Sequence, residues 1–294
     1  MQIPEVVKPV VLPSTLEQVT SDELAKYAAL IYERTGIRVS PQKKTLLSNR
    51  VRRRLRKTGI EGFDEYLNHL KKLRSSDPEW DAFLQEITTH ETYLFRDEAQ
   101  WDWFRKRFLS QSADEARAGR RERNLRIWSA ACSTGDEVYT IATCIAACLP
   151  NHARWKIQIV GTDIGVGAIE QAKNAVFGER AMRLVPKEYY RYFTQAKDAS
   201  IWQAKSVLTS MTSFRQHNLM DPIRERPFDL VFLKNVLIYF DAISKQKVIQ
   251  HVRAAVRPGG LLVAGAAEGV ADLVKDFRRI QPWLYQRPHS DRSR

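Results

Sequence analysis

The chain has 294 residues, 44% hydrophobic and 28% charged, which suits a soluble globular protein of one large or two modest domains. No apolar run reaches the roughly 20 residues of a membrane-spanning helix, and the N-terminus lacks a basic start followed by a compact apolar block, so neither membrane insertion nor secretion is expected. A net charge of +13 favours an acidic partner, whether nucleic acid, anionic lipid or protein.

Residues 1–20 hold three prolines and no amphipathic period, which reads as a mobile arm. From Ser21 the pattern is helical: Ser21 caps, Asp22 and Glu23 follow in the first turn, and Leu24, Tyr27, Ala28 and Ile31 recur at helical spacing until Gly36. Further helices are expected from Pro41 to Lys57, closed by Gly59, from Phe63 to Arg74, and from Trp80 to Thr88. No β pattern precedes residue 120, so residues 21–88 form a small all-α domain.

The polar stretch Ser110–Asn124 reads as a connector. Beyond it, short apolar strands at Leu125–Ala131, Trp155–Asp163, Phe228–Leu233 and Leu261–Gly265 alternate with helices at Val138–Leu149, Ala168–Val176 and Ile243–Val256. Pro258-Gly259-Gly260 is expected to turn into the last strand. Such alternation predicts an α/β domain with a parallel sheet covered on both faces. Ile201–Phe214 reads instead as an antiparallel ribbon, inserted or at an edge. Cys132, Cys144 and Cys148 are too few and too poorly spaced for a disulfide framework. They read as buried thiols in a reducing, cytoplasmic compartment.

In an open α/β sheet, ligands bind beyond the carboxyl ends of the strands, where the strand order reverses. That rule selects the small-residue loop Ser129–Glu137, Asp163 at the end of the second strand, His217-Asn218-Leu219, and Lys234–Tyr239. A carboxylate at Asp163 can accept hydrogen bonds from two ribose hydroxyls of an adenosine-type cofactor, and Asn218 can address an adenine edge. Bland readings stand beside these: Asp163 as a helix cap, Asn218 as a turn residue, Tyr239 with Phe240 as core aromatics. A strand followed by Gly165-x-Gly167 suggests a dinucleotide fold, but Glu170 stands where its third glycine belongs.

Three segments carry a family resemblance: Thr89–Asp97 (THETYLFRD), Ile127–Tyr139 (IWSAACSTGDEVY) and Phe228–Asp241 (FDLVFLKNVLIYFD). They closely resemble the signature blocks of the chemotaxis receptor methyltransferases, the CheR family, and the similarity runs from about Ser21 to about Arg287. The resemblance implies a Rossmann-like S-adenosylmethionine-dependent methyltransferase domain over residues 89–294, with a small antiparallel β subdomain at about 190–216. It implies that His90, Thr92, Arg96, Glu137, Asp163, Asn218, Leu219, Asn235 and Val236 contact S-adenosylmethionine, with Arg96 and Tyr239 beside the transferred methyl group. S-adenosylhomocysteine would be the product, and glutamate side chains on receptor cytoplasmic helices the acceptors.

Departures from the family pattern are His90 where asparagine is frequent, Asp136 and Val138 around Glu137, and Lys234 where arginine is usual. Lysine cannot reproduce a bidentate guanidinium contact. Gln195–Thr212 contains no glycine, unlike the ribbon with which some members grip a receptor's C-terminal peptide, and that tether is not carried over.

A carboxylate acceptor is already nucleophilic at neutral pH, so neither a metal nor a strong general base is required, and the sequence shows no metal-ligand cluster. Asn49–Lys57 (NRVRRRLRK) carries Arg50, Arg52, Arg53, Arg54, Arg56 and Lys57 around Val51 and Leu55, which are spaced to face a core. These cations either form a solvated face or dock on an acidic receptor helix bundle. Nucleic acid is not the expected partner, although a same-fold methyltransferase acting on RNA or another acidic partner is the alternative reading.

Overall fold

The computed structural model describes residues 18–74, 76–197, 199–265 and 268–289. Through residue 17, the expected arm lies outside them. The chain divides at Thr89/His90 into two compact units.

The first unit is helical. Helix α1 (Ser21–Thr35) is capped one residue before the expected position, by Thr20. There the Thr20 hydroxyl accepts the Glu23 N–H at 3.1 Å while Glu23 accepts the Thr20 N–H at 2.6 Å. A short 3-10 turn at Pro41–Lys43 leads into α2 (Lys44–Thr58), followed by α3 (Phe63–Lys72) and α4 (Pro78–Ile87). Gly36 and Gly59 close α1 and α2 at φ 71° and 74°, backbone that glycine adopts without a Cβ penalty. Tyr27, Ile31, Val51, Leu55, Tyr66, Leu67 and Phe83 are buried among these helices.

The second unit opens with α5 (Glu98–Trp103), which continues through wider π-type turns at Phe104–Leu109 into α6 (Ser110–Arg117). The first half of the expected connector is therefore helix. Its charges occupy the solvent face, while Ala113 and Ala116 pack on the core and Ser112 is buried. The α/β core follows in order: β1 (Asn124–Ala130), α7 (Asp136–Cys148), β2 (Lys156–Asp163), α8 (Val166–Asn174), β3 (Val176–Gly178), α9 (Glu179–Met182), β4 (Phe193–Gln195), β5 (Ile201–Ala204), α10 (Ser206–Thr209), β6 (Thr212–Gln216), β7 (Phe228–Leu233), α11 (Ala242–Ala255), β8 (Val256–Ala264), β9 (Arg278–Gln281) and β10 (Leu284–Gln286).

The main sheet has the order β6-β2-β1-β7-β8-β10-β9. Strands β6, β2, β1, β7 and β8 run parallel, and β10 pairs antiparallel with both β8 and β9. Alternation along β1 explains the two covered faces. Leu125 and Ile127 join the cluster of Trp101, Phe104, Tyr139 and Phe232, whereas Trp128 and Ala130 join Val248, Ile249 and Val252 of α11. Cys132 and Cys144 are buried and Cys148 is half-buried, all three free thiols.

Three expectations change. Residues 201–214 are not one ribbon: β5 lies centrally in a small antiparallel sheet of order β3-β5-β4, but β6 is a parallel edge strand of the main sheet, with Ile159 opposite Thr212. The Pro258-Gly259-Gly260 segment does not turn before the last strand. It lies inside β8, where the pairing with β7 slips between Phe228 and Leu230 and Gly259 takes φ 75°. The hairpin of β9 and β10 was not anticipated, because its strands are short and Arg278 and Arg279 interrupt any apolar alternation. No helix among the described residues is long and apolar enough to cross a membrane.

Candidate functional site

Strand order reverses beside β1, since the chain proceeds from β1 outward to β2 and later returns to β7 on the other side. The loops leaving β1, β2, β6 and β7 therefore gather where an α/β sheet takes its ligand.

The β1 loop is tightly wound. Ala131, Ser133 and Gly135 all have left-handed backbone, at φ 63°, 52° and 89°. At Gly135 a Cβ would come within 2.8 Å of the Ala172 Cβ, so the loop needs glycine there for both reasons. Asp163 braces this loop from β2: its Oδ2 accepts the Ser133 N–H at 2.9 Å and its Oδ1 the Gly165 N–H at 2.9 Å. The helix-cap and ligand readings of Asp163 are thus compatible, because two carboxylate oxygens offer about four acceptor positions and backbone donors occupy two. His90 Nδ1 lies 3.8 Å from Asp163 Oδ1. The β6 loop adjoins the same carboxylate residue, with the His217 N–H donating to the Asp163 carbonyl at 2.8 Å. Asn218 uses its side-chain oxygen to accept the Met220 N–H at 3.0 Å, an Asx turn, and Leu219 is buried.

Glu137, in the first turn of α7, is held from two sides. Ser129 Oγ donates to its Oε1 at 2.7 Å, and Lys234 Nζ stands 3.3 Å from its Oε2. The same ammonium lies 3.1 Å from Asp97 Oδ2 and 5.1 Å from the centre of the Trp101 ring. Burial raises the pKa of neighbouring Asp136, although its Oδ2 accepts from Thr134 Oγ1 at 2.6 Å.

The segment 90–97 is pinned by Phe95 N–H to Thr140 Oγ1 (3.0 Å) and by Trp101 Nε1 to the Arg96 carbonyl (2.5 Å). Phe95 and Asp97 take left-handed backbone on either side of Arg96, which turns its guanidinium toward the Tyr93 ring, 5.6 Å from the ring centre. Arg183 covers the same ring at 4.0 Å. Asn235 is also left-handed, at φ 58°, and the Val236 N–H donates to Glu268 at 3.0 Å. A cavity of about 700 Å³ opens among Thr92, Thr134, Asp136, Phe177, Arg180 and Ala181; of the sequence-derived cofactor residues it includes Thr92.

The basic helix α2 divides its cations. Arg53, Arg56 and Lys57 are exposed, while Arg50 and Arg52 are half-buried. Arg53 pairs with Glu86 at 2.6 Å, and Arg50 donates to the Ile87 carbonyl and to Thr89. Arg54 does not belong to the outer surface. It is 8% exposed and forms a fork on Glu79, which also accepts from Tyr66 Oη. At helical spacing it lies one turn from Val51 and beside the buried face of α2.

Sequence reasoning missed two residues that shape this site, Asp97 and Glu268, and gave Ser133 and Lys234 no role of their own within the loops it selected. Asp97 and Lys234 stood inside the matched segments, and Glu268 lies just past a strand end, so the strand-end rule applied to the β8 loop would have found it.

A parallel sheet covered on both faces, with an acidic brace after β2, a wound loop after β1 and a buried acidic group opening α7, defines the Rossmann-like class of nucleoside-cofactor methyltransferases. The chain belongs to the CheR methyltransferase family. The family model "CheR methyltransferase, SAM binding domain" matches residues 90–284 and "CheR methyltransferase, all-alpha domain" matches residues 22–88. The chain is similar to the chemotaxis protein methyltransferase of Borreliella burgdorferi, 30% identical over 274 residues that cover 92% of this chain and 95% of the relative. It is also similar to that of Escherichia coli, 33% identical over 258 residues, 86% of each chain, and to that of Salmonella typhimurium, 32% identical over 275 residues, 91% of each chain. The protein is a methyltransferase that uses S-adenosylmethionine.

Proposed function

We infer that this enzyme transfers the methyl group of S-adenosylmethionine to glutamate side chains on the cytoplasmic helices of methyl-accepting chemotaxis receptors, in the cytoplasm. The observation that carries this reading is the match of both family models over nearly the whole described chain, with relatives named chemotaxis protein methyltransferases. When bound, S-adenosylmethionine supplies a methyl carbon made electrophilic by its sulfonium. Transfer of that methyl to a glutamate oxygen would give a glutamate methyl ester and S-adenosylhomocysteine.

The residues fit this cofactor. Asp163 is buried at the strand tip with acceptor capacity left for ribose hydroxyls, and Glu137 opens a helix as a carboxylate suited to the cofactor's ammonium. His90, Thr92, Asn218, Leu219, Asn235 and Val236 complete the cofactor contacts. Arg96 orients the acceptor carboxylate by paired hydrogen bonds, and Tyr239 shapes the methyl channel. Orientation and exclusion of water supply roughly 7–11 kcal/mol in favourable reactions, enough to spare a strong base. The exposed cations Arg53, Arg56 and Lys57, with Arg50 and Arg52, draw the enzyme to an acidic receptor bundle, an attraction that salt weakens. Arg54 is left out of that surface.

The test is Arg96→Ala. It should keep its fold and its affinity for S-adenosylhomocysteine within severalfold while losing receptor methylation. Near-normal turnover would refute the role of Arg96.

A further inference from the structure

The loop after β8 carries a carboxylate with no surface exposure at all, Glu268. Its Oε1 accepts the Val236 N–H at 3.0 Å, and its Oε2 is buried without a hydrogen-bond partner among the described residues. Burial raises the Glu268 pKa, and the N–H groups of Val236, Leu237, Asn235 and Ile238 counter part of that rise. The fit is close: a Cβ on Gly265 would stand 3.1 Å from Glu268 Oε1 and 3.3 Å from the Asn235 nitrogen. Lys245 of α11 holds the loop from outside by donating to the Glu268 carbonyl at 2.9 Å.

A short 3-10 turn starts with unsatisfied N–H groups, and a carboxylate over them is the most effective cap available. Asn235, two residues before the turn Leu237–Tyr239, holds left-handed backbone, a conformation asparagine tolerates better than other side chains. We propose that Glu268 is a positioning residue for methyl transfer, its carboxylate stapling the Asn235–Tyr239 turn to the β8 loop so that Asn235, Val236 and Tyr239 are held ready for cofactor and acceptor. The inference rests on the reading that this turn meets S-adenosylmethionine.

Three variants test it: Glu268→Ala, Glu268→Gln, which keeps an oxygen at the same reach, and Glu268→Asp, which keeps the charge but withdraws it. S-adenosylhomocysteine affinity is measured by calorimetry, KM and kcat by methyl transfer, and folding by thermal melting. Glu268→Ala should weaken S-adenosylhomocysteine binding about tenfold and lower kcat, with Gln restoring both to within a few-fold. A folded Ala variant with unchanged affinity and turnover overturns the staple, as does a Gln variant as impaired as Ala. If the Ala variant does not fold, the order decides: Asp impaired and Gln spared supports the staple, and the reverse contradicts it. Wild-type protein without affinity for S-adenosylhomocysteine would overturn the site reading and the staple together, whereas normal wild-type binding with an indifferent Ala variant removes the staple alone.

Discussion

Lys234 Nζ lies 3.3 Å from Glu137 Oε2, with 3% of the lysine side chain exposed. This ammonium also meets Asp97, the residue after Arg96, so one cation joins the end of β7 to the first turn of α7 and to the segment that bears Arg96. Removing the buried lysine strands the Glu137 carboxylate, 15% exposed, at a cost of about 1–3 kcal/mol, while Asp97, 43% exposed, turns to water. Lys234→Met should therefore lower thermal stability by several degrees and weaken S-adenosylhomocysteine binding by more than tenfold, and Lys234→Arg should recover part of both. Melting curves and calorimetry on the three proteins check this.

Asp163 holds two backbone N–H groups that set the shape of the β1 loop. Asp163→Ala leaves both donors without their acceptor and removes the oxygens assigned to ribose. Each buried donor so orphaned costs about 1–3 kcal/mol. Cofactor affinity is expected to fall by at least 10- to 100-fold, and an unchanged dissociation constant would remove Asp163 from the site.

The division of cations on α2 separates stability from recognition. Arg54→Ala breaks the buried fork on Glu79, whose partner Tyr66 has its pKa raised by burial and by Glu79, and should destabilise the helical unit by about 3 kcal/mol. Charge reversal at Arg56, which is exposed, should leave the melting temperature within about a degree and instead raise KM for receptor at low salt. Equal effects of the two substitutions on stability would contradict this division.

Gly161 sits in β2 where a Cβ would come within 2.7 Å of Phe214 and 2.9 Å of Val138. Overpacking of this kind costs about 1–3 kcal/mol. Gly161→Ala is expected to lower the melting temperature measurably and to disturb Asp163, two residues on.

His217 gives the site a pH dependence. Burial lowers its pKa from 6.5, helped by Arg215 and His251 and opposed by Asp221, so the folded state prefers the neutral ring. The unfolded chain takes up the proton first as pH falls through 6.5, which means this contribution to stability is full above that value and declines below it. His217→Phe, which keeps a ring against Trp128, should flatten the decline in melting temperature between pH 7 and 5. An unaltered profile would assign the decline to other groups.

Period and punctuation made much of this molecule readable. Gly36 and Gly59 end their helices where the sequence placed the stops, and β7 spans Phe228–Leu233 as its unbroken apolar run implied. The positions of Asp163 and Asn235 at strand ends were equally legible, since both follow apolar runs. What stayed hidden depends on long-range pairing. Thr212–Gln216 has no local feature to say that its partner is β2 rather than β5, and Ser110–Arg117 conceals a helix because its small apolar side is only two alanines wide. Arg54 looked like its neighbours until the fold supplied Glu79. Lys234 was read as a departure from arginine, and its partner Asp97 only acquires meaning through a contact 137 residues away in sequence.

The central claim is that the strand-tip site methylates carboxylates on a receptor. Purified receptor cytoplasmic fragments and, separately, RNA are incubated with the enzyme and deuteriomethyl S-adenosylmethionine, and the products are mapped by mass spectrometry. The account predicts deuteriomethyl groups on receptor glutamates, released by mild base as esters are, and none on RNA. Label confined to RNA, or no label on receptor glutamates from an enzyme that binds S-adenosylhomocysteine, would contradict it.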